Sequence, residues 1–263
     1  MAHITPLPHH IGGVTNSAMK FHAPLLKGML IKRYKRFMAD VTLDSGEVVT
    51  AHCANSGSML SVNEPGAEVW LSPAKNPDRK LKYTWEMIRV GRSLVGINTQ
   101  HPNAIVAEAI EKGKVPGLSR QSLGAGQKAY ETLRREVKYG KNSRIDILLE
   151  YADGRNCYVE VKNVTLRRDL TKGAPAEFPD GVTARGAKHL VEMTDMIKEG
   201  HRAVMVYLVQ RGDADSMVIA RDIDPAYGEA LDKARKAGVE VVVLGCKLSK
   251  DSVNAAGILE FRD

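Results

Sequence analysis

Between residues 24 and 99, apolar and polar positions alternate in short runs broken by turn residues. Phe37-Met-Ala-Asp-Val-Thr-Leu43 alternates and stops at Asp44-Ser-Gly46. Glu47–Cys53 follows, then Ala67–Leu71 after the turn Pro65-Gly66. Tyr83–Val90 and Ser93–Asn98 are joined at Gly91. A period of two puts successive side chains on opposite faces of a strand. Five short strands in about 65 residues, with turns between them, predict a small closed or partly closed β-barrel. Five strands in a compact module fit the OB-fold, whose sheet face commonly carries oligonucleotides.

The texture changes at Pro102. Asn103–Lys112 places Ile105, Val106, Ala109 and Ile110 at helical spacing and ends at Gly113. A looser segment with Gly117, Gly124 and Gly126 leads to Tyr130–Tyr139. Two apolar runs follow, Arg144–Glu150 and Cys157–Lys162, with the hairpin signal Asp153-Gly154 between them. Thr183–Gly200 reads as a helix with Thr183 as N-cap, Gly200 as its stop, and Leu190, Met193 and Ile197 as core stripe. Ala203–Val209 and Val239–Leu244 read as buried strands around a helix at Pro225–Ala237. Helix, three strands, helix, strand, helix, strand predicts an α/β sandwich around a central mixed sheet. The expected organisation is an extension over residues 1–23, a barrel over 24–99 and an α/β domain over 100–263.

The hairpin carries the candidate chemistry. Asp146 and Glu160 are 14 positions apart, and folding at Asp153-Gly154 sets them near one another. Glu160 and Lys162 point the same way, because strand side chains alternate. The flanks Ile145, Ile147, Leu148, Leu149 and Tyr158, Val159, Val161, Val164 are apolar on both faces, as in central strands. Charges there are costly unless paired or coordinated. Asp146 and Glu160, with a carbonyl such as that of Val161, make a hard oxygen set suited to Mg²⁺ or Mn²⁺. Lys162 would orient an attacking water, giving phosphodiester hydrolysis. The bare pattern also fits solvated surface charges. A further carboxylate is expected from the opening helix, with Glu108 ahead of Glu111, and Glu136 as a third candidate.

Composition changes the picture modestly. The chain has 263 residues, 43% hydrophobic and 26% charged, within the ordinary globular range. Its net charge of +7 favours a polyanionic partner, with nucleic acid the commonest. Cys53, Cys157 and Cys246 are sparse and unpaired in spacing, which points to reduced thiols and a cytoplasmic setting. No apolar run approaches the roughly 18 residues of a membrane span. The first 20 residues, with His3, His9 and His10, lack the basic start and apolar block of a signal peptide.

Three further groups suit phosphate. Arg185 and His189 lie on the first turns of the Thr183 helix, with Glu192 on the same face, where a helix N-terminus favours anions. Asn55, Ser56 and Ser58 in His52–Met59 offer hydroxyls and backbone N–H groups at a strand end. Lys32, Arg33, Lys35 and Arg36 alternate with Tyr34 and Phe37, as on a surface that tracks a backbone and stacks bases. Each group also reads as ordinary solvated surface.

These stretches together resemble the sugar fermentation stimulation protein A family, from about Leu25 to Leu248. The resemblance is carried by Leu30–Phe37, His52–Met59, Tyr83-Thr-Trp85, Ser143-Arg-Ile-Asp146, Tyr158–Leu166, Phe178-Pro-Asp180 and Thr183-Ala-Arg-Gly through Lys188-His-Leu190. It implies an N-terminal OB-fold β-barrel and a C-terminal PD-(D/E)XK nuclease-like α/β domain. It also implies DNA binding and, in enteric bacteria, a link to maltose metabolism. By position Asp146, Glu160 and Lys162 fall on the nuclease signature, and Arg185 and His189 on the helix motif. Ala54 and Ser56 stand where the family pattern has Pro and Thr, and the N-terminal extension is atypical. The leading expectation is a DNA-binding protein with a Mg²⁺- or Mn²⁺-dependent nuclease centre. A non-catalytic DNA-binding regulator and an RNA-processing enzyme remain alternatives, and self-association to a homodimer is left open.

Overall fold

The computed structural model describes residues 19–118, 129–140 and 143–263. The pair His9-His10, Gly124 and Gly126 lie outside the described residues.

The first domain is a barrel. Its strands are β2 (Leu26–Tyr34), β3 (Met38–Leu43), β4 (Val48–Cys53), β5 (Glu68–Pro73), β6 (Tyr83–Val90) and β7 (Ser93–Gly96), after a two-residue β1 (Met19–Lys20). The sheet order is β4-β3-β2-β5-β6-β7, and a parallel β4–β6 pairing closes the ring. Five strands make the closed barrel, but they are β2–β6, and β7 leaves it as a hairpin arm. β2 is absent from the five runs counted in the sequence because a register irregularity between Leu30 and Lys32 breaks its alternation. Gly28 lets β2 approach β3: a Cβ there would sit 2.6 Å from Thr42 O and Val41 Cγ1. Val41, Ala51, Cys53, Val69, Leu71, Trp85 and Val95 fill the interior without exposure.

The second domain begins with α1 (Pro102–Glu111), β8 (Thr132–Tyr139), β9 (Ser143–Glu150) and β10 (Cys157–Val164). It continues through β11 (Ala176–Phe178), α2 (Ala184–Lys198), β12 (Arg202–Val209), β13 (Ser216–Ile219) and α3 (Pro225–Lys236). β14 (Glu240–Leu248), β15 (Ser252–Ile258) and β16 (Glu260–Phe261) complete it. The main sheet runs β1-β15-β14-β12-β10-β9-β8, parallel at β10-β12-β14 and antiparallel elsewhere, so it is mixed. α1 covers one face, packing Ile105, Val106 and Ile110 against Val159, Val161, Val204 and Val206. α2 and α3 cover the other, with Leu190, Met193 and Leu231 against Met205, Tyr207 and Val209. Thr183 Oγ1 caps α2 by accepting from Gly186 N at 3.1 Å, and Gly200 ends it at φ 89°. The last residues of the expected N-terminal extension are joined to this domain, with Met19 paired to Val253.

The domains are fastened across a cleft. Ser58 Oγ donates to Asp180 O, and Met59 N donates to Asp180 Oδ2 at 2.8 Å. On the other side Glu86 of β6 is buried and bound by Ser72, Asn98 and His101, the last at the start of α1. No described helix is long and apolar enough to cross a membrane.

Candidate metal centre

The hairpin turns over Tyr151–Gly154, one residue before the expected Asp153-Gly154 centre. Gly154, at φ 76°, donates to Tyr151 O at 2.9 Å, and β9 pairs with β10 through Cys157↔Leu149, Tyr158↔Leu148 and Val159↔Ile147. The next opposed pair in that register is Asp146 and Glu160. The ladder stops there, and Val161 N donates to Asp146 Oδ2 at 2.7 Å instead of to a β9 carbonyl. On the far side β8 pairs through Arg135↔Ile147 and Val137↔Ile145, leaving Glu136 opposite Asp146. Glu136, Asp146 and Glu160 therefore form one row across three strands. Like charges directly opposed on a sheet are unfavourable without something between them.

Glu160 is 2% exposed. Its Oε1 accepts from Lys162 Nζ at 2.7 Å and contacts His189 Nδ1. Arg185 Nε donates to His189 Nε2 at 3.4 Å, so the ring proton lies on Nδ1, facing Glu160. Glu160 Oε2 is buried with no hydrogen-bond partner. A buried acceptor left in this state costs about 1–3 kcal/mol, more for a charged one. Asp146 Oδ1 accepts from Asn103 Nδ2 at 2.8 Å. Burial, and after it the charge of Glu160, push the Asp146 carboxyl up to about 6. Burial also works to raise Glu160, but the hydrogen bond from His189 and the charge of Lys162 outweigh it and hold that carboxyl below its usual range.

The orphaned Glu160 oxygen beside a second carboxylate is the arrangement a hard divalent cation fits. Mg²⁺, Mn²⁺ and Ca²⁺ all take such oxygens. Among the described residues no three Asp, Glu, His or Cys side chains are grouped closely enough to hold an ion, so backbone or water oxygens must complete the set. At Val161 the contact seen is its N–H on Asp146, not the carbonyl expected from the sequence.

The other expected residues divide. Glu108 is not brought to the row: it pairs with Lys112 and lines a hollow with Lys20, Lys114 and Asn254. Five residues at 100° each turn it about 140° away from Asn103 around the helix, so α1 contributes Asn103 instead. Glu111 is exposed at the helix end. His189 is buried and engaged with Glu160 rather than open to a phosphate. Glu192, one turn on, is buried with neither carboxylate oxygen hydrogen-bonded, and Lys188 Nζ lies 3.5 Å from its Oε1.

On the barrel side, the Arg33 guanidinium is spent on the carbonyls of Asn55 and Gly57 at 3.0 Å, Ser58 at 3.3 Å and Arg36 at 3.1 Å. Asn55 is likewise occupied, donating to Ile97 O and accepting from Gly57 N, both at 2.9 Å. These residues build the loop. Lys32, Lys35, Arg36 and Ser56 remain exposed. Ser56 lines a cleft of about 330 Å³ together with Asn103, Lys162, Thr165 and Phe178, so the loop shares one space with the two side chains that contact Asp146 and Glu160. Asn103 has no motif of its own in the sequence; its only signal is its place beside Pro102 at the first turn of α1.

A barrel of OB type joined across a cleft to an α/β domain with a central mixed sheet defines a two-domain protein. The chain belongs to the sugar fermentation stimulation protein family: residues 31–97 match the SfsA N-terminal OB domain and residues 100–252 the sugar fermentation stimulation protein RE domain. The sugar fermentation stimulation protein homolog of Rhodospirillum rubrum is 60% identical over 237 residues, covering 88% of this chain and 93% of that protein. The homolog of Paramagnetospirillum magneticum is 56% identical, covering 90% and 94%. The structure of Pyrococcus furiosus SfsA in complex with Ca²⁺ matches with a TM-score of 0.78 at 25% identity, over 94% of this chain and 100% of that one.

Proposed function

We propose that this protein binds DNA and hydrolyses its phosphodiester bonds at the Asp146–Glu160–Lys162 centre with Mg²⁺ or Mn²⁺. The observation that carries the reading is the buried, unpartnered Glu160 Oε2 in a row of carboxylates. The Ca²⁺ held by the similar Pyrococcus furiosus protein supports a hard-cation site here. Asp146 and Glu160 would hold the ion, which lowers the pKa of its water and offsets charge on a phosphoryl oxygen.

The chain's own residues do the positioning. His189, set by Arg185, keeps Glu160 Oε1 engaged, while Oε2 stays without a hydrogen-bond partner. Lys162 Nζ is anchored on the same Oε1 and would orient the attacking water. Lys32, Lys35, Arg36 and Ser56 would track the strand, at a binding strength that falls with salt.

The test is cleavage of single- and double-stranded DNA in Mg²⁺, Mn²⁺ or EDTA by wild type, Asp146→Ala and Lys162→Ala. Metal-dependent cutting lost in both variants is the expected result. DNA binding by all three proteins with no cutting under any condition would refute the enzyme and leave a DNA-binding module on a nuclease-like scaffold.

A further inference from the structure

Glu136 is exposed, yet it sits at φ 54°, in the left-handed region that side chains other than Gly, Asn and Asp seldom adopt. Such strain persists only where the surroundings over-determine it. The conformation changes the course of the strand. Leu133 packs on the α1 face of the sheet, whereas Val137 and Tyr139 pack with Met196 on the α2 face. Residues four apart on a regular strand share a face, so β8 changes face at Glu136. β9 does the same opposite it, with Ile147 and Leu149 towards α1 and Ile145 towards α2. Two strands thus twist together at the one position where both carry a carboxylate.

A single nitrogen lies between those carboxylates. Asn103 Nδ2 donates to Glu136 Oε1 at 2.9 Å and to Asp146 Oδ1 at 2.8 Å. The amide is neutral and only partly offsets two facing anions. On the other side of Asp146 stands the buried, unpartnered Glu160 Oε2.

We propose that Glu136 is the third carboxylate of the centre, held there by the left-handed turn in β8, and that the Asn103 amide keeps its place until a divalent cation enters. This rests on the reading of the site as a cation centre. The cation draws on Asp146 and Glu160 directly and on Glu136 through a bound water, because the three carboxylates as they stand are not grouped closely enough to hold it together. The strained turn is the cost of aiming that carboxylate.

The strain gives a clean test. A structural residue replaced by glycine at φ 54° loses strain and, with an exposed side chain, little packing. Ca²⁺ binding is measured by titration calorimetry for wild type, Glu136→Gly, Glu136→Gln and Asp146→Asn, with thermal melting in EDTA alongside. The expected result is Ca²⁺ affinity at least tenfold weaker in Glu136→Gly and Glu136→Gln, with Glu136→Gly melting in EDTA at or above wild type. If Glu136→Gly does not fold, the near-isosteric Glu136→Gln decides. Unchanged affinity in Glu136→Gln, with binding lost in Asp146→Asn, overturns the role of Glu136 and leaves the centre standing. Wild type showing no saturable Ca²⁺ binding overturns both.

Discussion

Replacing Asp146 by asparagine removes a carboxyl that burial and the neighbouring Glu160 push up to about 6 from 3.8. The folded chain binds that proton more tightly than the unfolded chain. The stability this contributes is therefore fully present below about pH 4 and is lost as pH rises through about 6. A shift of about two units corresponds to about 3 kcal/mol. Asparagine also loses an acceptor for one of its two donors, Val161 N or the Asn103 amide, at about 1–3 kcal/mol. That loss does not titrate, so pH separates the two effects. In EDTA, the stability of Asp146→Asn relative to wild type should rise by about 3 kcal/mol between pH 4 and pH 8. Urea unfolding at half-unit pH intervals measures it. Adding Mg²⁺ at pH 8 should return the advantage to wild type, since the ion stabilises the ionised carboxyl. A difference that stays flat with pH, or falls, would refute the reasoning.

Arg33→Ala should cost about 1–3 kcal/mol in thermal or urea unfolding, because part-buried carbonyls of the Asn55–Ser58 loop lose their donor. Arg36→Ala, on an exposed side chain, should leave stability within about 0.5 kcal/mol. It should instead weaken DNA binding and reduce the salt slope by about one in fluorescence anisotropy. Glu108→Ala should cut DNA at the wild-type rate in a gel assay, since its carboxylate pairs with Lys112 away from the row.

The hairpin was legible as a fold-back at Asp153-Gly154 that lays β9 beside β10, but its register was not: a two-residue Asp-Gly turn would oppose Asp146 to Val161, and Glu160 stands there because the turn runs over Tyr151–Gly154. α2 was legible in its caps, but the fate of its polar face was not. His189 and Glu192 are buried because α2 lies flat on the sheet above Glu160, a contact between residues 29 positions apart in the case of His189. Glu108 and Asn103 show the same limit. Helical spacing tells which residues share a face but not which face meets the site, and a carboxylate drew more notice than an amide. The irregular strands were hidden for a different reason. β2 is bulged and β8 switches face at Glu136, so neither shows an unbroken alternation. Arg33 and Asn55 looked like ligand-binding residues because the groups that hold a loop together are the same groups that hold a phosphate.

The most direct test of the central claim is anomalous scattering from crystals soaked in Mn²⁺ at pH 8. The account requires a peak within about 2.0–2.6 Å of Glu160 Oε2 and an Asp146 oxygen, and the loss of that peak in Asp146→Asn. Well-ordered side chains at saturating Mn²⁺ with no peak there, or the same peak in the variant, would contradict it.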